Sequence, residues 1–340
     1  METEGHGFIP ADVGYAWVIV AGSFLIQLCA VGVPGGFGVY LNFYSTQVFP
    51  DEKVAKIALI GTLIPFVIGI FSVASGWLCD KFGVRVCIVA GAFATAIAHV
   101  LASLGTRVWH LILTQGVLYG VGGALVYIPA IMLVTEWFEK RQGLAVGIGA
   151  AGGGVGGALF TQVNSRLLLA LGHVWTLRLN GAFHLLALLL VAATVRRREQ
   201  TDKGSENTKS LVLNGSLIWF AAACLFGGIG YLNPLHFVMQ HAASLNMTTA
   251  EGGYILIAMN LGSGVGRVSM GLLGDYTGLM KSYMLAICLS ILASVMWLFS
   301  TKFAVMLIFG IVYGISSGGY VGSFGAACSI LFGNLNCFHV

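Results

Sequence analysis

"GWLCDKFGVR" covers Gly76–Arg85, and "GLLGDYTGLMK" covers Gly271–Lys281. Each places an Asp four residues after a Gly, a second Gly three residues later, and a cation just beyond. A chain that writes this charged phrase twice, about 195 residues apart, is otherwise poor in charge: DEKR make up 9% and apolar residues 57% of it. Soluble domains carry about 25% and about 45–50%. The phrases therefore punctuate long apolar text, and that text decides the fold.

Residues 15–40 contain no charged side chain. About 20 such residues cross the hydrocarbon layer as a helix. Lipid offers no hydrogen bonds, so each apolar block must satisfy its backbone internally, and the helix does this within one segment. Ten blocks are predicted, at 15–42, 54–78, 85–105, 108–134, 143–167, 174–195, 214–239, 250–273, 281–300 and 303–330. The opening "METEGHGFIPAD" is acidic and lacks the basic stretch of a signal peptide, so the first block is expected to be retained. With both Asp phrases on the cytoplasmic side, ten Lys/Arg lie there and six opposite, which satisfies the positive-inside rule and puts the N-terminus in the cytoplasm. The net charge of +4 reports topology and gives no argument for nucleic-acid binding. The seven cysteines form no CxxC pair, and no His, Cys or carboxylate cluster suits a metal or a nucleophile–base pair. No metal, no cofactor and no enzymatic activity are expected.

The polar run "RRREQTDKGSENTKSLVLNGS" at 196–216 divides the chain. The predicted organisation is an N-terminal six-helix bundle at 1–195, a cytoplasmic linker at 196–213 and a C-terminal bundle of about four helices at 214–340. Aligned at the 195-residue offset, the two Asp phrases superpose, and "YGVGG" at Tyr119 is echoed by "YGISSGG" at Tyr313. Two repeated helical halves joined by a polar linker resemble the major facilitator superfamily, an all-α membrane fold of two pseudo-symmetric bundles. The resemblance makes the phrase a cytoplasmic gating motif. Gly76 and Gly271 are expected to let helices approach. Asp80 and Asp275 are expected to accept from backbone N–H groups of a neighbouring helix or to pair with a cation. Gly83 and Gly278 should permit a tight turn, and Arg85 and Lys281 should anchor the next helix at the leaflet.

Two further stretches resemble the signatures of the monocarboxylate transporter family, especially its fungal branch. "DVGYAWVIVAGSF" carries Asp12, Gly14 and Trp17, with Tyr15 where that family usually has Trp. "YGVGGALVYIPAIMLVTEWFEKRQGLAVGIGAAGGGVGG" matches at Tyr119, Gly120, Pro129, Phe138, Lys140, Arg141, Leu144, Ala145, Gly147, Gly153 and Gly157. Its pairs Gly143/Gly147, Gly149/Gly153 and Gly153/Gly157 read as a close-packing surface. The run lacks the Pro of the superfamily's antiporter motif.

Arg267 falls inside the eighth block. An Arg at mid-membrane costs about 2.5–3.5 kcal/mol on insertion scales, so it is normally paired or faces a cavity. The resemblance places it where the family binds the substrate carboxylate, and a guanidinium fork suits that task. The competing reading is a side chain snorkelling to the cytoplasmic end about 9 Å away. Asn260 and Ser263 are its expected polar neighbours at the cargo site. The animal family's Lys after the first-helix Pro is here Gly35, and its Asp before the eighth-helix Arg is Ser263. The family's own proton relay is therefore not carried by these residues, and protons as coupling partner are left open.

The expected function is secondary active transport of a monocarboxylate or related small organic anion by alternating access, at the plasma membrane, with the bilayer as the other partner. Alternative readings are a truncated non-transporting paralogue, a transporter-derived sensor, and a carrier of another solute such as riboflavin. Position 340 corresponds to Ala145 of the first half, so the chain is expected to hold ten helices of a family pattern of twelve.

Overall fold

The computed structural model describes residues 14–138, 140–196, 227 and 230–333, with side chains described up to 322. The described residues are helical and contain no strand. The elements are α1 (Tyr15–Ala30), α2 (Gly32–Gly35), α3 (Phe37–Phe43), α4 (Val54–Phe82), α5 (Val84–Ser103), α6 (Val108–Leu111), α7 (Tyr119–Trp137), α8 (Gln142–Thr194), α9 (Asn233–Ser244), α10 (Thr249–Thr277), α11 (Leu279–Leu298) and α12 (Phe303–Gly333). Wider π-helical turns extend α3 over Tyr44–Val48 and lead from α6 into α7 over Ile112–Leu118. Seven described helices are long and apolar enough to cross a membrane. Most of the predicted block 214–239 and of the predicted linker lies outside the described residues, as does Asp12.

The first predicted span is not one rod. It breaks at Val31 and Gly36, on either side of Pro34. Pro lacks an N–H and clashes with the preceding turn, which explains an interruption here. The fifth and sixth blocks form the two helical arms of α8, which meet at a non-helical Gly172 and fold back on each other. Asn180 Nδ2 donates to Asn164 Oδ1 at 3.0 Å, whereas residues 16 apart in a straight helix stand about 24 Å apart. The rings of Phe160 and His184 stack at 5.5 Å. Both pairs are centred on Gly172, whose φ of 71° and ψ of 176° make the reversal. That region is open essentially to glycine alone.

The glycine run of α8 packs closely, as expected, and does so against two partners. A Cβ on Gly156 would stand 2.5 Å from the Leu28 carbonyl oxygen of α1, and Gly152 backs onto Phe24 of the same helix. A Cβ on Gly147 would stand 2.6 Å from the Arg267 carbonyl oxygen of α10, and one on Gly154 would stand 2.5 Å from that of Asn260. Gly149 faces Ser23 of α1 whereas Gly153 faces Arg267, so the 149/153 pair does not share a face. Residues four apart drift by about 40° on a helix, and α1 and α10 both press on this one.

The signature residues at the chain's start form a clamp. Gly14 has a φ of 58°. The Tyr15 hydroxyl donates to the carbonyl of Thr194 at the end of α8, and its ring packs 5.3 Å from Trp137. Trp17 meets Phe138 edge-on at 5.2 Å. Lys140 and Arg141 lie exposed just before α8.

Candidate functional site

The repeated phrases fold alike locally and pack differently. Gly83 and Gly278 follow their helices with φ of 87° and 100°, so each makes the expected turn. Asp275, at the last turn of α10, accepts the backbone N–H groups of Gly143 and Leu144 at 3.1 and 2.9 Å. These are orphan donors at the start of α8, where the helix dipole also favours a negative charge. Gly271 makes this contact close: a Cβ there would meet the Gly143 carbonyl oxygen at 2.5 Å. Gly76 differs, because a Cβ on it would meet nothing within 4 Å. The close approach expected at Gly76 is absent among the described residues, where this stretch of α4 faces outward with Val73 and Trp77 exposed. Asp80 lies exposed at the end of α4. Arg85 Nε donates to the Val195 carbonyl at 2.8 Å, which ties the start of α5 to the end of α8.

A cavity of about 510 Å³ lies where α1, α2, α4, α7, α8, α9, α10 and α12 converge. Its wall is mainly apolar. Arg267 lines it and is only 2% exposed, so the guanidinium does not snorkel to a surface. Nη1 donates to the Ala150 carbonyl of α8. Nε is buried and has no hydrogen-bond partner, and neither has the Ser263 hydroxyl one turn before it on the same cavity wall. Gly153 makes room for the fork, since a Cβ there would overlap Nη1. A buried donor left unpaired costs about 1–3 kcal/mol, more when charged.

Asn260 also lines the cavity, but its amide is already engaged. Nδ2 donates to the Gly35 carbonyl of α2 at 3.0 Å and to its own Leu256 carbonyl at 2.9 Å. Asn260 therefore ties α10 to the broken first span at the cavity wall. Gln27 and Tyr127, outside the residues expected at the site, line the cavity with Ser23 and Tyr231. Their signal was a polar group inside an apolar block, the same one that flagged Arg267. Polar residues elsewhere in the helices form interhelical bonds: Tyr44 donates to Gln115 at 3.1 Å, and Tyr119 donates to the Cys29 carbonyl at 2.6 Å. Among the described residues no cluster of His, Cys and carboxylates suits a metal ion.

A many-helix membrane protein with repeated glycine–aspartate turns and a mainly apolar cavity between its helices has the build of a solute transporter. Residues 28–334 match the model of the Major Facilitator Superfamily, and the chain belongs to that family. It is 31% identical to the MFS-type transporter hasB of Aspergillus fumigatus, over 97% of this chain and 79% of that one. It is 29% identical to the Agnestins efflux protein AgnL12 of Paecilomyces divaricatus, over 90% and 71%. A third relative, the probable transporter MCH2 of Saccharomyces cerevisiae, is 29% identical over 89% and 66%. Among solved structures, a D-xylose-proton symporter matches with a TM-score of 0.62 at 15% identity, covering 94% of this chain and 82% of that one. A bacterial homologue of the lysosomal transporter Spinster, captured inward-facing, matches with 0.61 at 16% identity, over 93% and 75%. The chain is thus an integral, multi-pass membrane protein of a transporter family, and its relatives are transporters rather than enzymes.

Proposed function

We propose that this protein is a secondary transporter of an organic anion whose carboxylate is held by Arg267. The observation that carries the reading is the unpartnered Nε of a 2%-exposed arginine on the cavity wall, beside the unpartnered Ser263 hydroxyl. An arginine fork with Nη1 tied to Ala150 and Nε unpartnered can receive a carboxylate with charge-assisted bonds. The monocarboxylate resemblance supports the same chemistry. Alternating access would rock residues 1–195 against 214–340 about this site, with the Asp275 cap and its first-half counterpart Asp80 as the cytoplasmic gate and the plasma membrane as the setting.

Cavity size refines the cargo. Some 510 Å³ with a mainly apolar wall exceeds what the smallest monocarboxylates need, and ligand pockets of about 300–1,000 Å³ take drug-sized molecules. Two relatives are named as efflux proteins, for agnestins and for fujikurins, which favours export as the direction, while the volume and apolar wall of the cavity favour a bulkier, largely apolar acid. The test is binding and transport of a panel of labelled organic acids, from small to aromatic, in proteoliposomes. Arg267→Gln should weaken an accepted acid by about 10- to 100-fold, the equivalent of one charged hydrogen bond at about 1.5–3 kcal/mol. Arg267→Lys, which keeps the charge and loses the fork, should fall between. Unchanged affinity in Arg267→Gln would remove the arginine from the cargo site.

A further inference from the structure

Where α3 packs on α9, the two halves meet beside the cavity. Gly38 permits the approach: a Cβ there would stand 3.0 Å from the Leu235 carbonyl oxygen and 3.4 Å from that of His236. Pro34, Leu232 and Leu235 line the cavity on this side. His236 sits one residue behind that wall, wholly buried, with its ring edge-on to Phe37 at 5.5 Å. Both of its ring nitrogens lack a hydrogen-bond partner. The Pro34 carbonyl is the backbone acceptor that acts on the ring, without closing to hydrogen-bond geometry. Other buried histidines are treated differently: His184 Nδ1 meets the Asn180 carbonyl at 2.7 Å, and His99 Nδ1 meets that of Thr95 at 2.9 Å.

An imidazole with two orphaned nitrogens is an expensive filler for a helix seam. The cost disappears once the seam parts and water reaches the ring. The titratable groups brought by the neighbouring elements offer no close counter-charge. Tyr40 on α3 gives its hydroxyl oxygen to Asn180. Glu251 and Tyr254 lie at the far end of α10, where Glu251 is engaged by Thr248. Arg267 lies several turns further along α10. On α9 itself His241 packs against Trp297 at 5.7 Å.

We propose that His236 is a proton-binding residue of the α3–α9 seam, neutral while the seam is shut and protonated when it opens to water. The inference rests on the alternating-access reading, but not on the nature of the cargo. A charged ring in a dry, unpartnered site is strongly disfavoured, so the shut form excludes the proton. In the open form the ring behaves as an ordinary histidine that charges near pH 6.5. Acid therefore favours opening of this seam.

The test needs no substrate. Genetically encoded labels at exposed Gln47, beyond α3, and exposed Ala243, near the end of α9, report the seam as a distance distribution in nanodiscs. One proton taken up at an ordinary histidine raises the open-to-shut ratio about tenfold between about pH 7.5 and pH 5.5. His236→Gln should reduce that change to less than about twofold. His236→Phe, which fills the site without orphaned nitrogens, should also be flat and should favour the shut distance at both pH values. A ratio in the native protein that does not move with pH would overturn the proposal, and so would a tenfold response that survives in either variant. Failure of the arginine test leaves this result standing, and the reverse holds as well.

Discussion

The carboxylate of Asp275 accepts the backbone N–H of Leu144 at 2.9 Å, joining the end of α10 to the start of α8 across the two halves of the chain. A second oxygen takes the N–H of Gly143. A helix cap is normally local; this one arrives from 131 residues away, so the same interaction caps α8 and ties it to α10.

Asp275→Ala should therefore do two things at once. Loss of a cap costs roughly 1 kcal/mol, about fivefold in the ratio of closed to open. Amide exchange at Gly143–Val146 should rise by that factor, with amides deep in α5 unchanged. Equal exchange in the variant and the native protein would mean that the cap does not hold the face shut.

The two glycines of opposite environment give opposite signs. Alanine at Gly154 would press on the Gly264 backbone nitrogen and the Asn260 carbonyl, and neither can move without shifting a helix. Overpacking of this kind costs about 1–3 kcal/mol. Alanine at Gly76 meets nothing within 4 Å and removes the helix-interior penalty of glycine, a gain of about 0.5–1 kcal/mol. Thermal unfolding in detergent should place Gly154→Ala below the native protein and Gly76→Ala at or above it.

Gly172→Ala tests the hairpin. The left-handed region there excludes a side chain for reasons of its own backbone, although a Cβ would find open space. The expected cost is about 1–3 kcal/mol, read as a lower unfolding temperature. An alanine without effect would mean that the reversal of α8 does not depend on this conformation.

These cases also show what the amino-acid text could carry. Arg267 stood out because a charge in an apolar run is rare, and it did come to the cavity. The paired turns were legible because glycine is needed at positive φ, and Gly83 and Gly278 adopt it. The faces of the glycine run were not legible. Helices that are apolar all round give no moment to orient them, so Gly149 and Gly153 could not be assigned to α1 and α10 in advance. The status of Asn260 was hidden for the same reason: its bond to Gly35 depends on a break in the first span. His236 resembled any other buried polar residue until its missing partners were seen.

Gly157 and Asn260 should prove energetically coupled. A Cβ on Gly157 would overlap the Asn260 Oδ1, while the amide nitrogen of Asn260 holds the Gly35 carbonyl. Gly157→Ala alone must push the amide off that carbonyl, so it carries both a steric cost and a lost hydrogen bond. Asn260→Ala alone loses the bond, at about 1–3 kcal/mol, and removes the overlapping amide, leaving only the Cβ of residue 260 at 3.2 Å. In the double variant the alanine at 157 meets no amide and the bond is already gone. The double variant should then be about as stable as Asn260→Ala, with a coupling of at least about 1 kcal/mol. Additive losses in unfolding temperature would show that the glycine is required by the helix backbone rather than by this side chain.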